Sequence, residues 1–165
     1  MTAPSSNARE SWDDYFMKLT RLVASRSTCL RRRIGALLVR EHRLLATGYN
    51  GAPSGLPHCL DVGCLRQQRK VPSGERSELC RAVHAEQNTL LQCARFGLST
   101  EGATLYCTHF PCAHCAKSLL SAKVCRIVYE EEYRDELAQE LLDQAQGKIT
   151  VESWKSSRGF TEIST

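Results

Sequence analysis

Apolar positions recur at helical spacing through Trp12, Tyr15, Phe16, Leu19, Leu22 and Val23. Ser11 stands just before them and Asp14 three residues later, so the serine hydroxyl can cap the first turn of a helix that starts here. Two short apolar runs, 34–39 and 44–49, flank the polar Arg40-Glu41-His42-Arg43, the pattern of a β-hairpin whose turn type the residues leave open. Residues 50–81 break every periodicity with glycines, prolines, charges and three cysteines. A loop this long inside a compact domain is usually functional or disordered, so something should hold it. Beyond it, 83–96 reads as a helix stopped by Gly97, 103–108 as a strand, 112–122 as a helix and 126–129 as a fourth strand. Leu137, Leu141, Leu142 and Ala145 mark one helix face ended by Gly147, and 149–151 adds a short strand. A helix, a hairpin and then alternating helices and strands give the α/β class, a mixed sheet covered by helices, because parallel neighbours need crossovers.

The 165 residues, 42% apolar and 24% charged, suffice for one soluble domain over 1–165 with a single core. Net charge is +4, from 22 basic and 18 acidic residues. That is far short of a dedicated nucleic-acid binder, so no polymer partner is expected, while small acidic ligands stay open. No stretch approaches the roughly 18 apolar residues of a membrane span, and 1–14 has no apolar leader core. The expectation is a cytoplasmic protein without a membrane partner. Its nine cysteines would stay reduced there, and an odd number cannot pair completely within one chain. Metal ligation or catalysis is therefore expected of several.

His84-Ala85-Glu86 opens one expected helix and Pro111-Cys112-Ala113-His114-Cys115 the next, so two helix starts can face one point. Cys112 and Cys115, three apart, share a helix face on which two thiolates can chelate one ion, and the helix N-terminus favours their charge. With the His84 imidazole they supply three ligands, the number found in catalytic zinc sites that keep a fourth position for water. Glu86 lies about 200° around a regular helix from His84, so it does not chelate beside it, but at the first turn both can reach a pocket beyond the helix end. Zinc lowers the pKa of its water to about 7, and a neighbouring carboxylate can move the proton to substrate. His-x-Glu followed by Pro-Cys-x-x-Cys is the signature of zinc nucleobase deaminases; a closed zinc knuckle or a chance Cys-x-x-C is the plainer alternative.

From Cys29 to about Tyr133 the chain resembles the cytidine deaminase superfamily and, within it, the deoxycytidylate (dCMP) deaminases with their late competence relatives. The resemblance rests on Arg26-Ser27-Thr28-Cys29, Gly48-Tyr49-Asn50-Gly51, His84-Ala85-Glu86-Gln87-Asn88, Gly102-Ala103-Thr104-Leu105-Tyr106 and Pro111-Cys112-Ala113-His114-Cys115. It implies a three-layer α/β/α fold around a mixed five-stranded sheet. The implied activity is hydrolysis of dCMP to dUMP and ammonia, feeding thymidylate synthesis, with zinc on His84, Cys112 and Cys115. Hydroxide would attack carbon 4 of cytosine while Glu86 protonates ring nitrogen 3 and later the leaving amino group. Asn50 matches a position that hydrogen-bonds the sugar, and by itself is also a turn residue in Tyr-Asn-Gly. Ala85 carries over as a substrate contact, and Tyr133 either borders the nucleotide or packs. Such enzymes are commonly homohexamers activated by dCTP and inhibited by dTTP, usually with magnesium. Gly48-Tyr49-Asn50-Gly51 matches a segment tied to effector binding. Its glycines permit close backbone approach and Tyr49 can stack on a base, though the same glycines also serve to end a strand and turn the chain. Subunits would pack through the helix carrying Arg95 and Phe96.

The 50–81 segment is much longer than in tRNA adenosine deaminases, which favours the mononucleotide branch. Folding it back would bring Cys59, Cys64 and Cys80 to Cys29, and a second, structural zinc on these four, with His58 as replacement ligand, would order it. Some members of the resembling branch carry a second zinc in this region with differing ligand types; the alternative is four unpaired thiols in a partly mobile loop. Cys93, Cys107 and Cys125 are expected to act as small hydrophobes. Most basic residues of the loop read as a solvated face, whereas Arg26, near Cys29, is the candidate phosphate contact or else a surface ion pair. His109 is expected to line the pocket. Two further functions stay open. One is a deaminase of another base, such as tRNA adenosine, guanine or cytidine; the other is a non-enzymatic, zinc-stabilised competence or DNA-uptake module, which needs the ligands but no Glu86.

Overall fold

The structure, a computed structural model, describes residues 9–155; the rest of the 1–14 segment and the tail beyond 155 lie outside the described residues. Helix α1 (Trp12–Ala24) starts where Ser11 Oγ accepts the Asp14 amide at 3.1 Å, with Asp13 and Asp14 in the first turn, where the helix dipole favours them. Its buried face leaves several of the apolar residues in the pattern half-exposed or exposed. Phe16, Met17, Thr20 and Ala24 are buried, whereas Trp12 and Tyr15 are each 42% exposed and Leu22 67%.

Trp12 instead stacks on His42, ring centroids 4.4 Å apart. His42 belongs to the hairpin of β1 (Gly35–Arg40) and β2 (Arg43–Tyr49), whose two turn residues Glu41 and His42 have φ of 52° and 59°. Two consecutive left-handed residues are the pattern of a type I′ turn, usually made by Asn-Gly because side chains resist that conformation. Here the indole stack holds one of them.

The 50–81 segment carries two single-turn helices, α2 (Cys59–Val62) and α3 (Leu65–Gln68), and a 3-10 turn at Ser77–Leu79. An isolated bridge between Gly51 and Val83 closes its two ends together. There follow α4 (Ala85–Phe96), β3 (Thr104–His109), α5 (Ala113–Ser121), β4 (Arg126–Glu131), α6 (Glu136–Gln144) and β5 (Thr150–Ser153). Helix α4 begins two residues later than the apolar pattern suggests, and β4 runs two residues further. Gly97, at φ 66°, caps α4 as expected.

The strands form one mixed five-stranded sheet in the order β2-β1-β3-β4-β5, with β1 antiparallel to β2 and β3, and β3, β4 and β5 parallel. Side chains alternate between its faces. Leu37, Val39, Tyr106 and Val128 meet Phe16 and Met17 of α1, while Ala36, Leu38, Leu105, Cys107 and Ile127 pack under α4, α5 and α6. Burial on both faces is why β1, β3 and β4 read as continuous apolar runs, and it completes the expected three layers.

Two expectations are corrected. Helix α6 packs Leu141, Leu142 and Ala145 against the core as expected, but its fourth core residue is Ala138, and Leu137 is 46% exposed. Cys125 is exposed at the mouth of β4, its thiol against the Gly102 carbonyl, and is no core hydrophobe; Cys93 and Cys107 are fully buried as expected. Among the described residues no helix is long and apolar enough to cross a membrane.

Candidate active site

His84 and Cys112 are the N-cap residues of α4 and α5, both in extended backbone, and neither uses its side chain to cap. Their side chains are therefore free to turn toward each other. Cys112 Sγ and Cys115 Sγ each lie 3.4 Å from His84 Nδ1, and the candidate ligand atoms of the three residues all fall within 4.8 Å of one another. Two sulfurs and an imidazole converging at two helix N-termini fit zinc and keep a fourth position for a small ligand. Cys112 is held down at about 4, chiefly by its hydrogen bond with Cys115 and then by that with His84, against burial. Cys115 is pushed up by the same bond and by burial, so the pair retains a proton that a bound metal would displace. His84 is raised, chiefly by Cys112.

Glu86, in the first turn of α4, is 5% exposed, lines the same cavity as His84 and Cys112, and has its carboxyl raised chiefly by burial, with the His84 charge opposing. A carboxyl raised in this way holds a proton more readily than an exposed one, which suits a group that must both take a proton and return it. The helix start that carries it is pinned by β2. Asn88 Nδ2 donates to the Tyr49 carbonyl at 2.8 Å, and the Thr47 amide donates to Gln92 Oε1 at 2.9 Å. The start of α5 is held from the other side by Asp135, whose carboxylate accepts the Ala113 amide at 2.9 Å while capping α6. Asp135 had no spacing signal, because it acts between elements far apart in the chain.

The long segment folds back over this site: Cys29, Cys59, Cys64 and Cys80 all line the cavity that also holds His84 and Glu86. Cys59 is buried, and its thiol is pushed up by that burial and then by Cys64, Cys29 and Cys80. The grouping within 4.8 Å found among the described residues is nevertheless His84, Cys112 and Cys115, so the four thiols are neighbours more loosely set. His58 is turned to Thr28, its Nδ1 3.1 Å from the hydroxyl, while its amide donates to Asp61.

Asn50 lines the cavity but is strongly engaged by the chain. Its Oδ1 accepts the Ile34 amide at 2.9 Å and the Ser27 hydroxyl at 2.5 Å, and its Nδ2 donates to the Arg32 carbonyl at 2.9 Å. Ser27 is drawn inward by this bond, which turns Arg26 outward: Arg26 is exposed and stands outside the cavity wall. The arginines that line the wall are Arg31, Arg32, Arg66 and Arg81, and the carboxylate among the lining residues is Glu86. Nothing in their spacing singled out Arg31 or Arg32, since their direction depends on where Asn50 clamps the chain.

Gly48 and Gly51 are both buried. The close approach each allows is made by the chain itself, to the Ala85 carbonyl and to the Thr28 hydroxyl and Tyr49 ring, respectively. Ala85 is fully buried. Tyr133 lines the cavity with the Arg32 guanidinium 5.3 Å from its ring centre. His109 also lines it, its Nε2 3.2 Å from Glu131, and burial holds its pKa down.

A family profile described as the cytidine and deoxycytidylate deaminase zinc-binding region matches residues 10–131. ComE operon protein 2 of Bacillus subtilis is 44% identical over 145 residues, 87% of this chain and 71% of its own length. The deoxycytidylate deaminase of Saccharomyces cerevisiae is 43% identical over 157 residues, 93% of this chain, which spans 47% of that relative's length. The dCMP deaminase of cyanophage S-TIM5, solved in complex with dCMP and dUMP, is 30% identical with a TM-score of 0.73, over 90% of this chain and 100% of that one.

Proposed function

The chain belongs to the cytidine and deoxycytidylate deaminase family defined by its zinc-binding region, and from that premise we propose that it hydrolyses dCMP to dUMP and ammonia. The observation that carries this is the meeting of His84, Cys112 and Cys115 beside the buried carboxyl of Glu86 in one cavity. His84, Cys112 and Cys115 would hold zinc, which supplies activation of water at neutral pH. Glu86 accepts one proton of the attacking water and delivers it to ring nitrogen 3, then takes the remaining proton from the hydroxyl added at carbon 4 and passes it to the amino group there. The water oxygen replaces the amino nitrogen, which leaves as ammonia. Asn50 has one Nδ2 proton on the Arg32 carbonyl and keeps the other for a sugar hydroxyl. Ala85 offers backbone contact and Tyr133 borders the nucleotide.

The relatives named for dCMP favour cytosine over other bases, and the arginine-lined wall suits an anionic substrate. The test is ammonia release by the zinc-loaded protein across dCMP, CMP, dCTP, cytidine, guanine and adenosine-containing RNA. Turnover confined to dCMP supports the assignment, and turnover of another member in its place overturns it. A binding-only module is the second reading, favoured by the Bacillus relative named for an operon rather than a reaction. Glu86 weighs against it, since a module has no use for a buried proton carrier.

A structural zinc on Cys29, Cys59, Cys64 and Cys80 belongs to the same proposal, supported by the shared cavity and the burial of Cys59 and Cys64. So does assembly as a homohexamer, which the exposed Leu91 and Phe96 on α4 support as apolar surface for a partner copy. Control by dCTP and dTTP with magnesium rests on the family alone; with Gly48 and Gly51 buried, an effector would act through Tyr49. A cytoplasmic location completes the proposal.

A further inference from the structure

The three metal-binding side chains stand on two helices that are anchored separately. His84 opens α4, which β2 holds through Asn88 and Gln92, whereas Cys112 and Cys115 open α5. The first amides of a helix have no partner within it. At α5 the Ala113 amide, one residue past Cys112, is taken by Asp135 Oδ2 at 2.9 Å. Ala113 is buried, so losing that acceptor would leave an enclosed donor unpaired or force the start of α5 to move.

The other oxygen of the same carboxylate, Oδ1, accepts the Ala138 amide at 3.0 Å and caps α6. One side chain thus closes two helix starts, and each oxygen serves a different one. Its neighbours Arg134 and Glu136 pair with each other. Ala116 and Leu119 of α5 share a buried core with Ala138 and Leu142 of α6, so the carboxylate pins the ends of two helices that are already packed together. Asp135 also lies beyond residue 131, where the match to the zinc-binding region ends.

We propose that Asp135 is a positioning residue for the metal centre: by tying the start of α5 to α6 it sets the two thiols at the spacing that His84 requires, and it gives α6 a part in metal binding. This rests on the assignment of zinc to His84, Cys112 and Cys115 above. Asp135 acts through the Ala113 amide and touches neither metal nor substrate. Groups that orient metal ligands in this way typically carry about 10- to 100-fold of the metal affinity.

A role confined to capping α6 is separable, because serine caps a helix well but brings a single oxygen on a shorter stem. The test is zinc affinity of the full chain by competition with a chromogenic chelator, together with the visible absorption of the cobalt-substituted protein. Cys112→Ser identifies the share of bound metal that belongs to this site. Asp135→Ser should weaken that share about 10- to 100-fold and shift its cobalt absorption, while melting no lower than Leu142→Ala. Asp135→Asn, with one acceptor oxygen in the same shape, should do so to a smaller degree. Leu142→Ala loosens α6 but keeps both bonds of Asp135, so it should melt below the wild type and bind metal as the wild type does. Wild-type affinity and absorption in Asp135→Ser, or in Asp135→Asn if the serine variant does not fold, would reduce Asp135 to a helix cap and overturn the proposal. Equal weakening in Leu142→Ala would overturn it as well, and leave the zinc assignment standing. If Cys112→Ser itself leaves metal binding unchanged, the zinc assignment falls and the proposal with it.

Discussion

Gly48 lies against Ala85 so closely that a Cβ on the glycine would stand 2.2 Å from the alanine carbonyl oxygen and 2.9 Å from the Thr89 amide nitrogen. Both are backbone atoms of the helix that carries Glu86, so no side chain can give way. Gly48→Ala must therefore displace the start of α4 relative to β2. A misplacement of about 1 Å at a reacting group can lower turnover about 100-fold. The expected outcome is zinc retained at His84, Cys112 and Cys115 with kcat reduced to that degree, checked by metal analysis beside steady-state kinetics; unchanged turnover would show that β2 does not set the position of Glu86.

Cys29 and the three loop cysteines lead to a stoichiometry. Two zinc ions per chain should survive dialysis, and Cys59→Ser should retain one. Because a structural metal contributes to folding, that variant should lose melting temperature far more than it loses substrate affinity. Elemental analysis giving one zinc for the wild type would remove the second site.

Acid sensitivity should centre in part on Asp13. The Arg126 guanidinium grips its carboxylate at 2.9 and 2.8 Å and the Tyr106 hydroxyl donates to it at 2.7 Å, tying α1 to β3 and β4. The Arg126 bond holds the Asp13 carboxyl below its ordinary 3.8 against the opposing effect of burial. A folded value below the unfolded one means that this stabilisation is fully present above pH 4 and disappears as pH falls through the lower, folded value. Asp13→Asn should melt below the wild type at pH 7, and the gap should close as pH falls from above the ordinary carboxylate value through the lower, folded one. A gap independent of pH would assign the effect to packing.

Much of the site was legible because its chemistry sits at helix starts, where residue order alone fixes direction. His84 and Cys112 occupy N-cap positions, and Cys115 and Glu86 fall in first turns, so local spacing suffices. The sheet was legible for a related reason: β1, β3 and β4 are buried on both faces and announce themselves as apolar runs. What local pattern did not carry depends on contacts between distant segments. The Glu41-His42 turn lacks Asn or Gly and is held by Trp12 from another element. Arg26 and Arg32 are alike in sequence terms, and only the Ser27–Asn50–Ile34 clamp decides that one faces solvent away from the cavity and the other its wall. The single-turn helices α2 and α3 are too short to show a period.

The account turns on Glu86 as the proton carrier, and the most direct measurement is dCMP turnover by zinc-loaded wild type and Glu86→Gln, with zinc content determined on the same samples. The expected result is stoichiometric dUMP and ammonia from the wild type. The variant should hold its zinc and lose about two to four orders of magnitude in kcat, the range of general acid–base catalysis. Near-wild-type turnover by Glu86→Gln, or no dCMP deamination by the zinc-loaded wild type, would contradict it.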